Sequence, residues 1–172
     1  MLIELSKLPD TPVGSFEEGG FVGKVQKPII NPEEGRLIGF LVKTGGFFGK
    51  DKIASIGDVI DIDRGGLVLR SSDCLVEKDE IVRISEIIKT NFKLINLKAV
   101  QKNSKFIGRV KDALIDSNTG DIMRLYVRRY FQEFVFERSQ IVEITLKNVV
   151  LKTDKTQKVK KPVAELARAE IA

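Results

Sequence analysis

The chain has 172 residues and a mass of 19.3 kDa, which allows one ordinary domain or two small ones and excludes a large multidomain enzyme. With 42% hydrophobic and 31% charged residues, and 14 Gly against 5 Pro, it reads as a globular protein rather than a disordered or fibrous one. The absence of histidine excludes Ser-His-Asp and Cys-His nucleophile pairs and imidazole-held zinc or haem, and the single cysteine, Cys74, has no partner for an internal disulfide.

The net charge of +5 is unevenly placed. Residues 1–86 hold 11 basic and 15 acidic side chains, whereas residues 87–172 hold 18 basic and 9 acidic ones. Such an imbalance predicts an acidic partner for the second half, whether RNA, an acidic protein surface or anionic lipid. The alternative is internal: the acidic half packs against the basic half. Residues Met1–Lys7 carry neither the basic nor the apolar region of a signal peptide. Charged residues also interrupt every apolar run well short of the roughly 20 residues a membrane helix requires. The expectation is a cytoplasmic protein with no membrane insertion.

In chain order, the first recognisable unit begins at Phe21-Val22-Gly23-Lys24-Val25 and continues through the turn Asn31-Pro32-Glu33-Glu34-Gly35 into Leu37-Ile38-Gly39-Phe40-Leu41-Val42. The same pattern returns 85 positions later as Phe106-Ile107-Gly108-Arg109-Val110, the turn Asp116-Ser117-Asn118-Thr119-Gly120, and Ile122-Met123-Arg124-Leu125-Tyr126-Val127. Further on, Val59-Ile60-Asp61-Ile62 matches Ile141-Val142-Glu143-Ile144 and Leu67-Val68-Leu69 matches Val149-Val150-Leu151, now at an offset of 82, so the second copy is shorter by three residues in its middle loop. This is a duplication. Gly23, Gly35, Gly108 and Gly120 are expected as structural turn glycines, the second and fourth closing hairpins with a positive φ. Period-two alternation predicts that Ile38, Phe40 and Val42, and likewise Met123, Leu125 and Val127, share one face.

Between the copies, apolar residues at 81, 84 and 88 have helical spacing, with Asp79 placed to cap the start. The predicted organisation is a first domain over 1–78, a linker helix over 79–90, a second domain over 91–154, and a flexible basic tail over 155–172. Five or so short strands per copy favour small closed barrels, which leave no open edges.

The repeated pattern, Phe-hydrophobic-Gly-basic-Val, then a turn ending in Gly, then a hydrophobic strand and a strand such as Asp58-Val59-Ile60-Asp61-Ile62, resembles the PRC-barrel domain across the chain to about Asp154. That family occurs in the cytoplasmic part of the photosynthetic reaction centre H subunit and at the C-terminus of the ribosome maturation factor RimM. The resemblance implies a mainly β fold of two tandem small PRC-like β-barrels joined by a short helix. It implies no catalytic role.

Candidate binding residues follow from side-chain chemistry. Arg124, Tyr126 and Arg128 are expected on the face opposite Leu125 and Val127, followed by Arg129, Tyr130 and Phe131; guanidinium groups among rings suit anionic partners. In the first copy, Phe47 and Phe48 sit in a glycine-rich loop and cannot both point inward from one strand. Either one ring caps the barrel or both form a hydrophobic docking tip. For a nucleic-acid partner the candidates are Arg124, Arg128 and Arg129 with Lys158, Lys160 and Lys161 of the tail. The spacing of Asp58, Asp61 and Asp63 fails the common calcium loop, and no metal or cofactor is expected. Leu37 and Leu41 give the first copy an apolar outer face that suits either a homodimer or the linker helix. The expected function is a non-enzymatic adaptor or scaffold binding another macromolecule. RNA or ribosome binding is the alternative, and carboxylate-based catalysis a remote one.

Overall fold

A computed structural model of the chain describes residues 1–45, 49–63, 65–152 and 157–159. The fold is mainly β, 54% strand, and includes a sheet curled into a half barrel. Its first sheet comprises β2 (Pro12–Ser15), β3 (Gly20–Asn31), β4 (Arg36–Thr44), β5 (Asp51–Ser55), β6 (Val59–Ile62), β7 (Leu67–Leu69) and β8 (Val76–Glu77), in the order β6-β7-β2-β3-β4-β5-β8. The α-helix α1 (Val82–Lys89) follows it. The second sheet comprises β9 (Lys98–Gln101), β10 (Phe106–Asp116), β11 (Ile122–Arg129), β12 (Gln132–Glu137), β13 (Ile141–Ile144), β14 (Asn148–Leu151) and β15 (Gln157–Val159), in the order β13-β14-β9-β10-β11-β12-β15. The two orders match strand for strand, down to the one parallel pairing in each, β2 with β7 and β9 with β14.

The duplication extends to irregularities that set side-chain direction. Register shifts between Val25 and Lys27 and between Ile29 and Ile30 recur between Val110 and Asp112 and between Leu114 and Ile115. Left-handed backbone at Asp10 (φ 65) recurs at Asn96 (φ 71), where short polar side chains tolerate it, and the two amides donate to the Val25 and Val110 carbonyls at 2.8 Å each. The bulges correct the simple alternation. Ile38 and Met123 are the extra residues opposite a shift, so Leu37 and Ile122 take the inward places and Met123 is exposed. Gly35 (φ 62) and Gly120 (φ 78) close the hairpins as expected, but Gly23 and Gly108 do not lie in turns. They lie inside β3 and β10, where a Cβ would come within 2.5 Å of the Lys43 or Arg128 carbonyl oxygen.

The inward faces form one cluster that includes Val13, Val25, Phe40, Val42, Leu67 and Leu69 of the first sheet and Ala99, Val110, Leu125, Val127, Phe136 and Leu151 of the second. Each sheet also carries an apolar triad on its other face. In the first sheet Ile29, Leu41 and Ile53 pack under Ile84 of α1, with Ile81, Ile87 and Ile88 beside it. This buries Leu41 under the helix, while Leu37 belongs to the inner cluster. The α1 N-cap is Ile81 with no side-chain cap, so Asp79 does not serve as one.

The corresponding triad of the second sheet, Leu114, Tyr126 and Val135, packs with Leu2. That residue belongs to β1 (Leu2–Glu4), which precedes the first copy in sequence yet pairs with β10: Leu2 opposite Asp116, Ile3 opposite Ile115, Glu4 opposite Leu114. A 3-10 turn at Leu5–Lys7 follows, tied down by Asp112, whose carboxylate accepts from the Ser6 amide at 3.0 Å and the Ser6 hydroxyl at 2.5 Å. The copies also meet turn to turn. The Leu37 amide donates to the Gly120 carbonyl at 2.7 Å, and Arg36 bridges antiparallel to Asp121, its own counterpart 85 residues on. An antiparallel bridge between equivalent positions places a local twofold axis at this seam.

β15 lies within the segment expected as a flexible tail. It pairs with β12, Phe134 opposite Lys158, as β8 pairs with β5, so the duplication runs past Leu151.

Candidate functional site

At the end of β3 and β10 remote from the seam, each sheet presents a short turn followed by an exposed phenylalanine. In the second sheet this end is a groove of about 570 Å³ between the β9–β10 and β11–β12 turns. Its floor is Ile107, Phe134 and the fully buried Phe136; Phe106 and Phe131 stand at its sides, and Lys105 and Arg129 bring positive charge. Phe131 is fully exposed and Tyr130 is 83% exposed. In the tight β11–β12 turn Tyr130 adopts a left-handed conformation (φ 54), and both rings stand in solvent. The Arg129 guanidinium lies 5.9 Å from the centroids of both Phe106 and Tyr130, within cation–π range. Among the described residues no carboxylate lines the groove.

The arginines named from sequence divide between two environments. Arg124 and Arg128 lie directly opposite Glu137 and Glu133 in the β11–β12 ladder. Arg124 Nε sits 2.8 Å from Glu137 Oε1, and Arg128 Nε donates to Glu133 Oε1 at 2.9 Å. Lys111 donates to the same Glu133 oxygen at 3.0 Å. Burial works to raise the Glu133 carboxyl, but the hydrogen bonds from Arg128 and Lys111 outweigh it and hold the group below its ordinary value. Arg129 alone of the three joins the ring cluster. Tyr126 is not part of an exposed face: it is 2% exposed, because β1 covers the outer triad. Phe47, Phe48, Lys160 and Lys161 lie outside the described residues, and Lys158 is in β15.

Lys105, Phe106 and Phe134 were missed as site residues. Their signal was present in part, since an aromatic residue at Phe21 and again at Phe106 marks the repeat without filling the core. Which turns share an end depends on strand order, and no single strand pattern contains that.

At the equivalent end of the first sheet the β2–β3 turn carries two glutamates, and the exposed Arg70 stands next to it, its carbonyl accepting from the Glu17 amide at 3.1 Å. Phe16 is 71% exposed and Phe21 65% exposed, and between them stand Glu17 and Glu18. Hydrogen bonding from the Ser72 hydroxyl (2.7 Å) is the main cause holding Glu18 below its ordinary value, against loss of solvent and with help from the Ser72 amide and the Ser71 hydroxyl. Nearby Asp61 and Asp63 spend carboxylate oxygens on backbone amides, Asp61 on Ile62 and Asp63 on Gly65 and Gly66, and so shape a turn. No described helix is long and apolar enough to cross a membrane. The sequence matches no protein-family model, and no curated protein is significantly similar to it.

Proposed function

We propose that the chain is a tandem of two PRC-barrel-like units and works in the cytoplasm as a non-enzymatic scaffold, docking another protein through the aromatic end of its second unit. The repeated strand order and the half-barrel curl support the architectural part of this reading. One observation carries the functional part: Tyr130 and Phe131 project into solvent beside Arg129, over a groove floored by Phe134 and Phe136. Exposed rings around a concave apolar surface, with a cation at the rim, are the anchors found at the centres of protein interfaces. An RNA-binding surface is less well supported, because Arg124 and Arg128 are each engaged by a glutamate.

The test is recovery of the tagged full-length chain from lysate at low and moderate salt, with and without ribonuclease, beside a Phe131→Ala variant. A defined protein retained through nuclease and lost with Phe131→Ala is the expected result. Nuclease-sensitive recovery of RNA, or recovery indifferent to the substitution, overturns the reading.

A further inference from the structure

The chain leaves the second sheet beside the groove. Val159, at the end of β15, stands opposite Glu133, whose neighbours Gln132 and Phe134 both line the groove. Residues 160–172 follow and lie outside the described ones. After Lys160-Lys161-Pro162 their composition turns apolar: Val163, Leu166 and Ile171 stand among four alanines, with Glu165, Arg168 and Glu170 as the charged residues. The first copy shows where the counterpart of such a segment goes. There the chain leaving β8 continues into α1, which lies back over the outer triad of its own sheet. In the second copy that place is taken. β1 covers Leu114 and Tyr126, and the pairs Arg124–Glu137 and Arg128–Glu133 flank Tyr126 and Val135 on the same face. The open apolar surface beside Val159 is instead the groove, with Phe131 wholly exposed at its side and Phe134 on its floor.

We infer that residues 162–172 fold back into this groove in the free chain and must leave it before another protein can dock there. Length permits this. Two strand spacings, about 10 Å, separate β12 from β10 across the groove, and ten residues span about 15 Å even when wound as a helix. Val163, Leu166, Ala167 and Ile171 fall on one side of a helical repeat, which offers aliphatic side chains to Ile107, Phe131 and Phe134. Charge plays a lesser part, since two glutamates and one arginine among residues 163–172 meet Lys105 and Arg129 at the rim. The tether makes a weak contact sufficient. A short linker holds the segment at an effective concentration of about 1 mM, so an intrinsic dissociation constant of about 0.1 mM keeps the groove closed in roughly nine chains of ten. The apparent affinity for a partner then falls about tenfold. The regulation rests on the docking reading of the groove, whereas the occupancy does not.

Amide NMR of the full chain tests the occupancy, with the single cysteine removed by Cys74→Ser and a nitroxide attached through Ala169→Cys. The label is expected to broaden the amides of Lys105, Phe106 and Gln132 most and to leave those of residues 16–21 sharp. Leu166→Asp combined with Ile171→Asp should abolish the broadening, and unchanged dispersion of the remaining amides checks that the variant is folded. Broadening centred on Leu2 and Tyr126, or confined to no region, overturns the inference. So does equal broadening between a nitroxide-bearing chain and a separate isotope-labelled one, because the occupant is then a second copy. Capture from lysate reads the regulation: the same double substitution is expected to tighten binding of the protein held through Phe131 by about tenfold, and unchanged binding overturns it. The two readings fail separately. If the nitroxide maps to the groove and no protein is recovered, the docking reading and the regulation fall together and the occupancy stands. If a protein is recovered in a Phe131-dependent way while the nitroxide maps elsewhere, docking stands and this inference is wrong.

Discussion

The two halves share one strand order and differ in their surfaces. Where they agree, the agreement lies in features that direct the chain: the left-handed Asp10 and Asn96, the close-approach Gly23 and Gly108, the turn Gly35 and Gly120, and bulges at matching positions. Inside, the copies exchange large and small side chains, Phe40 against Leu125 and Ala54 against Phe136, and outside they differ in what covers them. The apolar triad Ile29-Leu41-Ile53 is covered by a helix, and Leu114-Tyr126-Val135 by a strand. In both cases the cover is the segment that leads into one copy and lies on the other, so that each copy clasps its neighbour. An apolar face on a sheet specifies that something must cover it without specifying the secondary structure of the cover. The outward differences are therefore the part of the molecule free to carry function.

The equivalence of the halves is most directly broken at the glycines. A valine at Gly23 or Gly108 would drive its Cβ onto a neighbouring strand carbonyl, and each substitution is expected to cost about 3 kcal/mol. Urea denaturation checks both, and an effect in only one copy would mean that the strand approach is not a shared requirement. The covers come next. Ile84→Ala removes a nearly buried anchor of α1 and should cost about 2–3 kcal/mol, whereas Leu2→Ala removes a half-buried one and should cost about 1 kcal/mol. Equal losses would show that the strand holds its triad as firmly as the helix does.

How much of this was legible in sequence follows from the range of each determinant. The repeat, the hairpin turns and the linker helix were readable because each rests on a few neighbouring residues. The phase of β4 and β11 was not, because a bulge at Ile38 or Met123 depends on how the opposing strand is paired. Neither was β15, whose Gln157-Lys158-Val159 has a polar, basic composition and becomes a strand only because β12 offers an edge. The arginines show the same limit at the site. Arg124, Arg128 and Arg129 look alike in sequence, and only the cross-strand register assigns glutamates to the first two and aromatic rings to the third.

A smaller effect separates the halves by pH. Lys27 and Asp112 occupy the same bulge position. Burial is the main cause that raises the Asp112 carboxyl, against the hydrogen bonds from Ser6 and the Ala113 amide, and the charge of Glu4 adds to the rise. A carboxyl raised in the folded state binds its proton more readily there than in the unfolded chain. Its contribution to stability is thus present below its unfolded value of 3.8 and is lost as pH rises through the folded value. Asp112→Asn should flatten that slope above 3.8 while keeping one acceptor for Ser6, and Asp112→Ala should cost about 1–2 kcal/mol by leaving the Ser6 amide unpaired. Hydrogen exchange at residues 2–6 reads the second variant, where faster exchange confined to β1 and its turn is expected.

The smallest effect is at the paired arginines, and it has the opposite sign with pH. Arg128→Ala breaks a half-exposed ion pair and should cost less than about 1 kcal/mol near neutral pH. Glu133 is held low despite its burial by hydrogen bonds from Arg128 and Lys111, so its contribution is present above the ordinary carboxyl value of 4.5 and is lost as pH falls through the folded value. Removing one of its two donors should move that loss upward, toward 4.5, while Lys111 keeps the carboxylate paired. Acid titration of the denaturation midpoint separates the outcomes. An unchanged acid limb would mean that Lys111 alone holds Glu133, and that Arg128 is available to a partner after all.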